Sequence, residues 1–205
     1  MNQVVPTVFI VDDDPAVRKG LSRLMRSVHL DVATYSSARE FLERHDPRTP
    51  GCLVLDVAMP GLNGLELQEA LARNGSLVPI IFLIGHGDIP MSVQAMKSGA
   101  LDFLTKPVND LELLTSIRTA LERNRIALQS RAERDDLQAR LETLTPRERE
   151  VLVHVVSGRL NKQIAGDLGT VEKTIKVHRA RVMEKMKASS LADLVRLAEN
   201  LGIRE

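Results

Sequence analysis

Four residues in the first half of the chain have side chains suited to phosphoryl chemistry if a fold brings them together: Asp12, Asp13, Asp56 and Lys106. Each stands at or just after a short, mostly apolar run, at residues 8–11, 53–55 and 102–104. Three carboxylates crowded into one place repel one another unless a cation intervenes, and an all-oxygen set with room for water suits Mg2+. A carboxylate oxygen is also a nucleophile towards phosphorus, and a nearby ammonium screens charge on the phosphoryl oxygens. A second group sits near the other end, where Lys173, Thr174, Lys176, Arg179 and Arg181 gather on one helical segment, the placement that contact with a polyanion requires.

The runs that deliver the acids alternate with helical segments, which is the pattern of a parallel sheet covered on both faces. Strands are expected at residues 8–11, 31–35, 53–55, 80–83 and 102–104. Pro15 begins a helix, Gly64 opens another, and Gly99 stops the segment 91–98. The fold class is therefore α/β, a doubly wound five-stranded parallel sheet. In such a sheet the ends of strands one, three and five can meet at the switch point, so that Asp12, Asp13, Asp56 and Lys106 form one site.

Residues 110–144 show no strand signal and no proline. Leu111, Leu114, Ile117 and Leu121 recur at helical spacing, and Leu128, Leu137, Leu141 and Leu144 continue more loosely, so a helix outruns its own domain. Its apolar stripe forms either a dimer seam or a seat on the second domain. The last stretch reads as four short helices at 146–156, 161–168, 172–187 and 191–200, a small all-α DNA-binding unit. Thr145 and Glu148 make a capping box around Pro146. Leu160, Ile164, Ala165 and Leu168 supply the apolar face of the second of these helices, and Ile175, Val182 and Met186 extend the core. The expected domains are 1–122, a linker at 123–143, and 144–205.

Composition agrees with a folded, soluble chain: of 205 residues, 43% are hydrophobic and 27% charged. No apolar run approaches the roughly 20 residues that span a bilayer, and the first residues do not pair a basic segment with an apolar one, so no membrane is expected and a cytoplasmic location is. The single cysteine, Cys52, excludes an internal disulfide. The net charge of +1 hides an asymmetry, −3 over residues 1–118 and +4 over 143–205. Scarce aromatics argue against single-strand binding by base stacking.

The segments FIVDDDPAVRKGL, LVLDVAMPGLNG and GHGDIPMSVQAMKSGALDFLTKP resemble the flavodoxin-like receiver domain of two-component response regulators across roughly residues 6–122. From Leu144 onward, LTPREREVLVHVVSGRLNKQIAGDLGTVEKTIKVHRARVMEKMKASSLADLVRLA is similar to the LuxR-type helix-turn-helix of the NarL/FixJ subfamily, closest to its FixJ branch. The resemblance implies that a sensor histidine kinase phosphorylates Asp56, with Lys106 contacting the acyl phosphate. It implies Mg2+ held by Asp13, Asp56 and the backbone carbonyl of Ala58, with Asp12 acting through water. Phe103 matches an aromatic that turns inward on activation, and Pro107 follows a peptide bond that is often cis. Phosphorylation is expected to remodel a face including Met91, Ala95, Asp102, Lys106 and Leu111, to promote a homodimer, and to activate a promoter served by RNA polymerase. On double-stranded DNA, Lys173, Lys176, Val177 and Arg181 are expected at base edges, and Lys162, Thr174, His178 and Arg179 at phosphates.

Two positions depart from the family. Ile84 stands where relatives carry Thr or Ser at the end of strand four, so the hydroxyl that normally bonds the phosphoryl group is missing. Either the switch is weakened, or His86 or a backbone N–H replaces the hydroxyl, or the change has little effect. Thr170-Val171 replaces the usual Ile-Ser before the recognition helix, so either Thr170 caps it with a one-residue shift or its start is less stable. Two other functions compete: a constitutive, phosphorylation-independent DNA-binding regulator, and an aspartyl-phosphate phosphatase. The phosphatase needs a second acid two residues after its nucleophile, where Ala58 stands. No turnover of an external substrate is expected.

Overall fold

A computed structural model describes residues 5–85 and 96–203 of the chain. They divide into two compact units, one up to residue 128 and the other from residue 129. In the first unit, β1 (Thr7–Val11), β2 (Asp31–Tyr35), β3 (Gly51–Asp56), β4 (Ile80–Ile84) and β5 (Asp102–Thr105) form a parallel sheet in the order β2-β1-β3-β4-β5. Helices α1 (Pro15–Ser27), α2 (Ala38–Arg44) and α3 (Gly64–Arg73) belong to this unit, as does the first part of α4 (Asp110–Glu142). Most of the helix expected at 91–98, with His86, Met91 and Ala95, lies outside the described residues.

Every residue of β3 is buried, as expected of a central strand covered on both faces. On one side Phe9, Leu53, Leu55, Phe82 and Ile84 pack with Phe41 of α2 and with Leu67 and Leu71 of α3. On the other, Val8, Ile10, Val54, Ile81 and Leu83 pack with Leu21 and Met25 of α1 and with Leu113, Ile117 and Ala120 of α4. Leu111 does not join this face as its spacing predicts, and is 77% exposed. The inward stripe of α4 runs instead through Leu113, Ile117, Ala120 and Asn124, and two residues back from Leu113 is about 200° around a helix. Asn124 is buried: its Oδ1 accepts from Gly51 N at 2.9 Å and its Nδ2 donates to the Leu77 carbonyl at 2.8 Å, fixing α4 to the amino-terminal side of the sheet.

The second unit holds the end of α4 and four further helices, α5 (Pro146–Val156), α6 (Asn161–Asp167), α7 (Glu172–Lys185) and α8 (Leu191–Asn200). Its core joins Leu137 and Leu144 to Val151, Leu152, Ile164, Ile175, Val182, Met186 and Leu194, with Leu141 packed against them. Those three leucines therefore rest on the second unit. Leu160 departs from expectation: it stands at the amino cap of α6 in extended conformation, ahead of the first turn, and is 68% exposed. The third of the expected helices ends at Lys185, because Lys187 turns into the left-handed region at φ 53°.

The capping box at α5 is present, with Thr145 and Glu148 each bonding the other's backbone N–H. At α7 the amino cap is Val171, with no side-chain hydrogen bond, so Thr170 does not shift into the role. Val171→Ser restores an acceptor for a free amide there and is expected to stabilise the second unit by about 1 kcal/mol. Thermal unfolding followed by circular dichroism should show its transition rise by about 4–8 °C; an unchanged midpoint would mean that the free amides are already satisfied by water.

Candidate functional site

β1 and β3 are neighbours and end level with each other, Val11 opposite Leu55, so the residues that follow emerge together at the carboxyl edge. Asp12 is fully buried and doubly bound: its Oδ1 accepts from Asp14 N at 2.9 Å and its Oδ2 from Lys106 Nζ at 2.8 Å. Arg18 Nη1 donates to the Asp12 carbonyl at 2.6 Å, a support with no signal in residue type or spacing. Asp56, 6% exposed, receives Lys106 Nζ at 3.2 Å and Ala58 N at 3.4 Å on Oδ1. Its Oδ2 makes no hydrogen bond among the described residues. Asp13 is exposed at the mouth.

One carboxylate oxygen from each of Asp12, Asp13 and Asp56 lies within 4.8 Å of the others. This is a hard, all-oxygen donor set with an open side, which fits a divalent cation such as Mg2+. Burial pushes the Asp56 carboxyl above the ordinary aspartate range, Lys106 opposes that rise, and Asp12 adds to it. Burial works against the Lys106 ammonium too, but the bond to Asp12 and the charges of Asp56 and Asp12 outweigh it and hold Lys106 above its ordinary value.

The loops around the pocket follow from local constraints. Gly64 opens α3 against the back of Asp56: a Cβ there would lie 2.4 Å from the Asp56 carbonyl oxygen, so only glycine allows this approach. The Lys106–Pro107 peptide is cis, as expected. Ile84 ends β4 with its side chain 2% exposed, packed in the cluster with Val57, Met59, Phe82 and Ala100, while its carbonyl accepts from Lys106 N at 2.8 Å. Phe103 points outward and is 41% exposed.

In the second unit, Lys162 of α6 and Lys173, Lys176, Val177 and Arg181 of α7 are exposed. Lys176 pairs with Glu172 at 3.3 Å across one turn. Thr174 and His178 are half-buried, and His178 Nδ1 has no partner among the described residues. Arg179 is also half-buried, and its Nη1 donates to Asn161 Oδ1 at 3.2 Å, so this guanidinium ties α7 to α6 instead of standing free. The exposed positions form a cationic face on a helix of major-groove dimensions.

Two family models match the chain: the response regulator receiver domain over residues 8–118, and the luxR family of bacterial regulatory proteins over residues 142–198. Nodulation protein W of Bradyrhizobium diazoefficiens is 50% identical over 196 residues, covering 96% of this chain and 86% of that protein. Transcriptional regulatory protein FixJ of Azorhizobium caulinodans is 46% identical over 198 residues, covering 96% and 93%. Among solved structures, response regulator StyR superposes with a TM-score of 0.89 at 49% identity, covering 95% of this chain and 98% of that one. Full-length FixJ from B. japonicum gives 0.59 at 41% identity, covering 98% of each.

The raised Asp56 pKa fixes the sign of a pH effect. The folded state binds this proton more tightly than the unfolded state, so stability is fully present below the ordinary aspartate pKa and is lost as pH rises through the raised one. In chelator, Asp56→Asn should therefore be more stable than the parent at pH 7, with the gap closing as pH falls towards 4, in urea titrations. A parent that is the more stable at pH 7 would mean that Lys106 outweighs burial. With Mg2+ at a hundredfold excess over its Kd the parent should gain about 2.7 kcal/mol, and Asp13→Ala should lose most of that gain.

Proposed function

Because the chain belongs to the two-component response regulators that join a receiver to a LuxR-type DNA-binding domain, we propose that phosphorylation of Asp56 by a histidine kinase controls how strongly it binds promoter DNA. The observation that carries this reading is the pairing of Lys106 with both Asp12 and Asp56, the latter through Oδ1, while Asp56 Oδ2 makes no hydrogen bond among the described residues. In the proposed transfer, Oδ2 attacks the phosphorus of a phosphohistidine. The new O–P bond forms as the N–P bond breaks, and the electron pair returns to the imidazole, which regains a proton from solvent. Asp13, Asp56 and the Ala58 carbonyl would hold Mg2+, with Asp12 acting through water; the ion supplies charge neutralisation at the phosphoryl oxygens. Lys106 stays protonated throughout, because its partners hold its pKa up, and its positive charge offsets the negative charge of the phosphoryl oxygens.

The proposed domains are a receiver at 1–122, a linker at 123–143 and a DNA-binding domain at 144–205. On DNA, α7 would enter the major groove, with Lys173, Lys176, Val177 and Arg181 at base edges and Lys162, Thr174 and His178 at phosphates. Arg179, tied to Asn161, would have to leave that bond to reach a phosphate. Dimerisation of phosphorylated receivers would couple two recognition helices on one site, so binding rises steeply, and activation would follow from recruiting RNA polymerase. No helix among the described residues is long and apolar enough to cross a membrane, and a cytoplasmic location is part of the proposal.

Ile84 favours a second reading, a receiver whose readout is weak and whose DNA binding is largely constitutive. Its buried side chain offers no donor to a phosphoryl group. Sedimentation velocity with Mg2+, with and without beryllofluoride, separates the two. The expected result is a monomer-to-dimer shift in the parent, none in Asp56→Ala, and a larger shift in Ile84→Thr. No shift in the parent but one in Ile84→Thr establishes the second reading; no shift in either moves the function to constitutive binding or to activation without receiver dimerisation. In parallel, Lys176→Ala should relax sequence preference on duplex DNA and leave the slope of log K against log salt unchanged, as a base-edge contact requires; a slope lowered by about 0.9 would place Lys176 at a phosphate instead.

A further inference from the structure

The last turns of α4 and the first turn of α5 hold the carboxyl ends of α6 and α7 through a set of cation-to-carbonyl bonds. Arg140 Nη1 donates to the carbonyl of Met186, the carboxyl cap of α7, at 3.3 Å. Arg147 Nη2 donates to the carbonyl of Leu168, the carboxyl cap of α6. In the opposite direction Lys185, the last residue of α7, donates to the Thr143 carbonyl at 3.0 Å and to the buried Glu148 at 2.6 Å. Carbonyls in the last turn of a helix lack intrahelical partners, and the negative end of the dipole favours cations there. Together these bonds form a clasp on both helices of the DNA-binding pair.

Arg140 stands apart within the clasp. Its guanidinium is braced by an ion pair with Asp136 one turn earlier, and its Nε is buried with no partner among the described residues. A polar group held out of water without a partner is costly, so the bond to Met186 is kept at a cost. With a side chain only 26% exposed, Arg140 is not a spare cation for DNA. Building on the DNA-binding reading, we propose that Arg140 is a positioning residue for sequence-selective DNA binding: it fixes the carboxyl end of α7 against α4, and so sets the pose of Arg181 and the rest of the recognition face in the groove. Loss of the bond lets that end tilt, which misaligns base contacts, while phosphate contacts, being less directional, persist.

The test uses the full chain and a duplex that the parent enriches from a random-sequence library, compared with a scrambled duplex. In Arg140→Met, which keeps the aliphatic stem, the ratio of selected to scrambled affinity is expected to fall about tenfold, the worth of one charge-assisted hydrogen bond, with the salt slope on either duplex unchanged. Arg140→Lys should recover part of the ratio, since an ammonium can reach one carbonyl. Asp136→Asn, at an exposed position that leaves the fold intact, should give an intermediate loss, and it decides the matter if Arg140→Met does not fold. A ratio equal to the parent's in Arg140→Met and Asp136→Asn, an equal loss on both duplexes, a salt slope lowered by about 0.9, or no rescue by Lys would each overturn the proposal. A parent that enriches no sequence at all would instead remove the DNA-binding reading beneath it.

Discussion

Two buried carboxylates share one ammonium, and the rest of the receiver is arranged around that imbalance. Asp12 and Asp56 are almost wholly out of water, and among the described residues Lys106 is the one cation in ion-pair contact with either. Arg18 approaches, but it spends its donor on the Asp12 carbonyl. With Asp13 at the mouth the site carries three acids to one base, so a cation that enters it relieves repulsion the fold has already absorbed. The strand order follows. Asp12 and Asp56 meet because β1 and β3 are paired, whereas β4 lies between β3 and β5, leaving about 9–10 Å to cross. A long flexible cation can span that gap, and a shorter one cannot, which gives the residue after β5 its identity.

The second unit uses positive charge in two ways that composition does not separate. Its basic surplus resembles a footprint for DNA, yet Arg140, Arg147, Arg149 and Lys185 bond to internal carbonyls, and Arg159 and Arg179 to Asp167 and Asn161. Lys162, Lys173 and Arg181 make no ion pair among the described residues. The cations free for direct contact with a DNA backbone are therefore fewer than the number of basic residues suggests, while the internal ones satisfy helix ends that a unit this small cannot bury otherwise.

The sheet and its acidic pocket were legible in the sequence because they depend on features that repeat: apolar runs of strand length, helices between them, and acids at the run ends. The cap of α5 was legible because Thr145, Pro146 and Glu148 are a local device, complete within four residues. What escaped depends on geometry between elements. Leu111 fits a helical stripe as well as Leu113 does, and only the sheet beneath decides which of two leucines faces it. Leu160 has the right spacing to extend the α6 face, but it lies before the first turn and points elsewhere. Arg179 and the exposed cations share one helix and one chemistry, and only the position of Asn161 assigns it inward. The bond from Arg140 to Met186 carried no signal, since its acceptor is a main-chain carbonyl, which every residue possesses.

Ile84 shows how a single departure from the pattern acts through the difference between two states. A hydroxyl at the end of β4 gains a hydrogen bond when a phosphoryl group arrives and must find another partner when none is there, so its bond favours one state and biases the equilibrium. A contact equally good in both states shifts nothing, however strong it is. Isoleucine is such a contact: buried with Val57, Met59, Phe82 and Ala100, it stabilises the core whether or not Asp56 is modified. Lys106 comes closer to a true switch, because a phosphoryl group on Asp56 competes with Asp12 for its ammonium, and its backbone N–H is bonded to the Ile84 carbonyl. That backbone bond reaches the end of β4, two residues from Phe103 on the neighbouring strand by register. Under the proposed phosphorylation of Asp56, any bias at this end of β4 would have to arise from a group other than the Ile84 side chain.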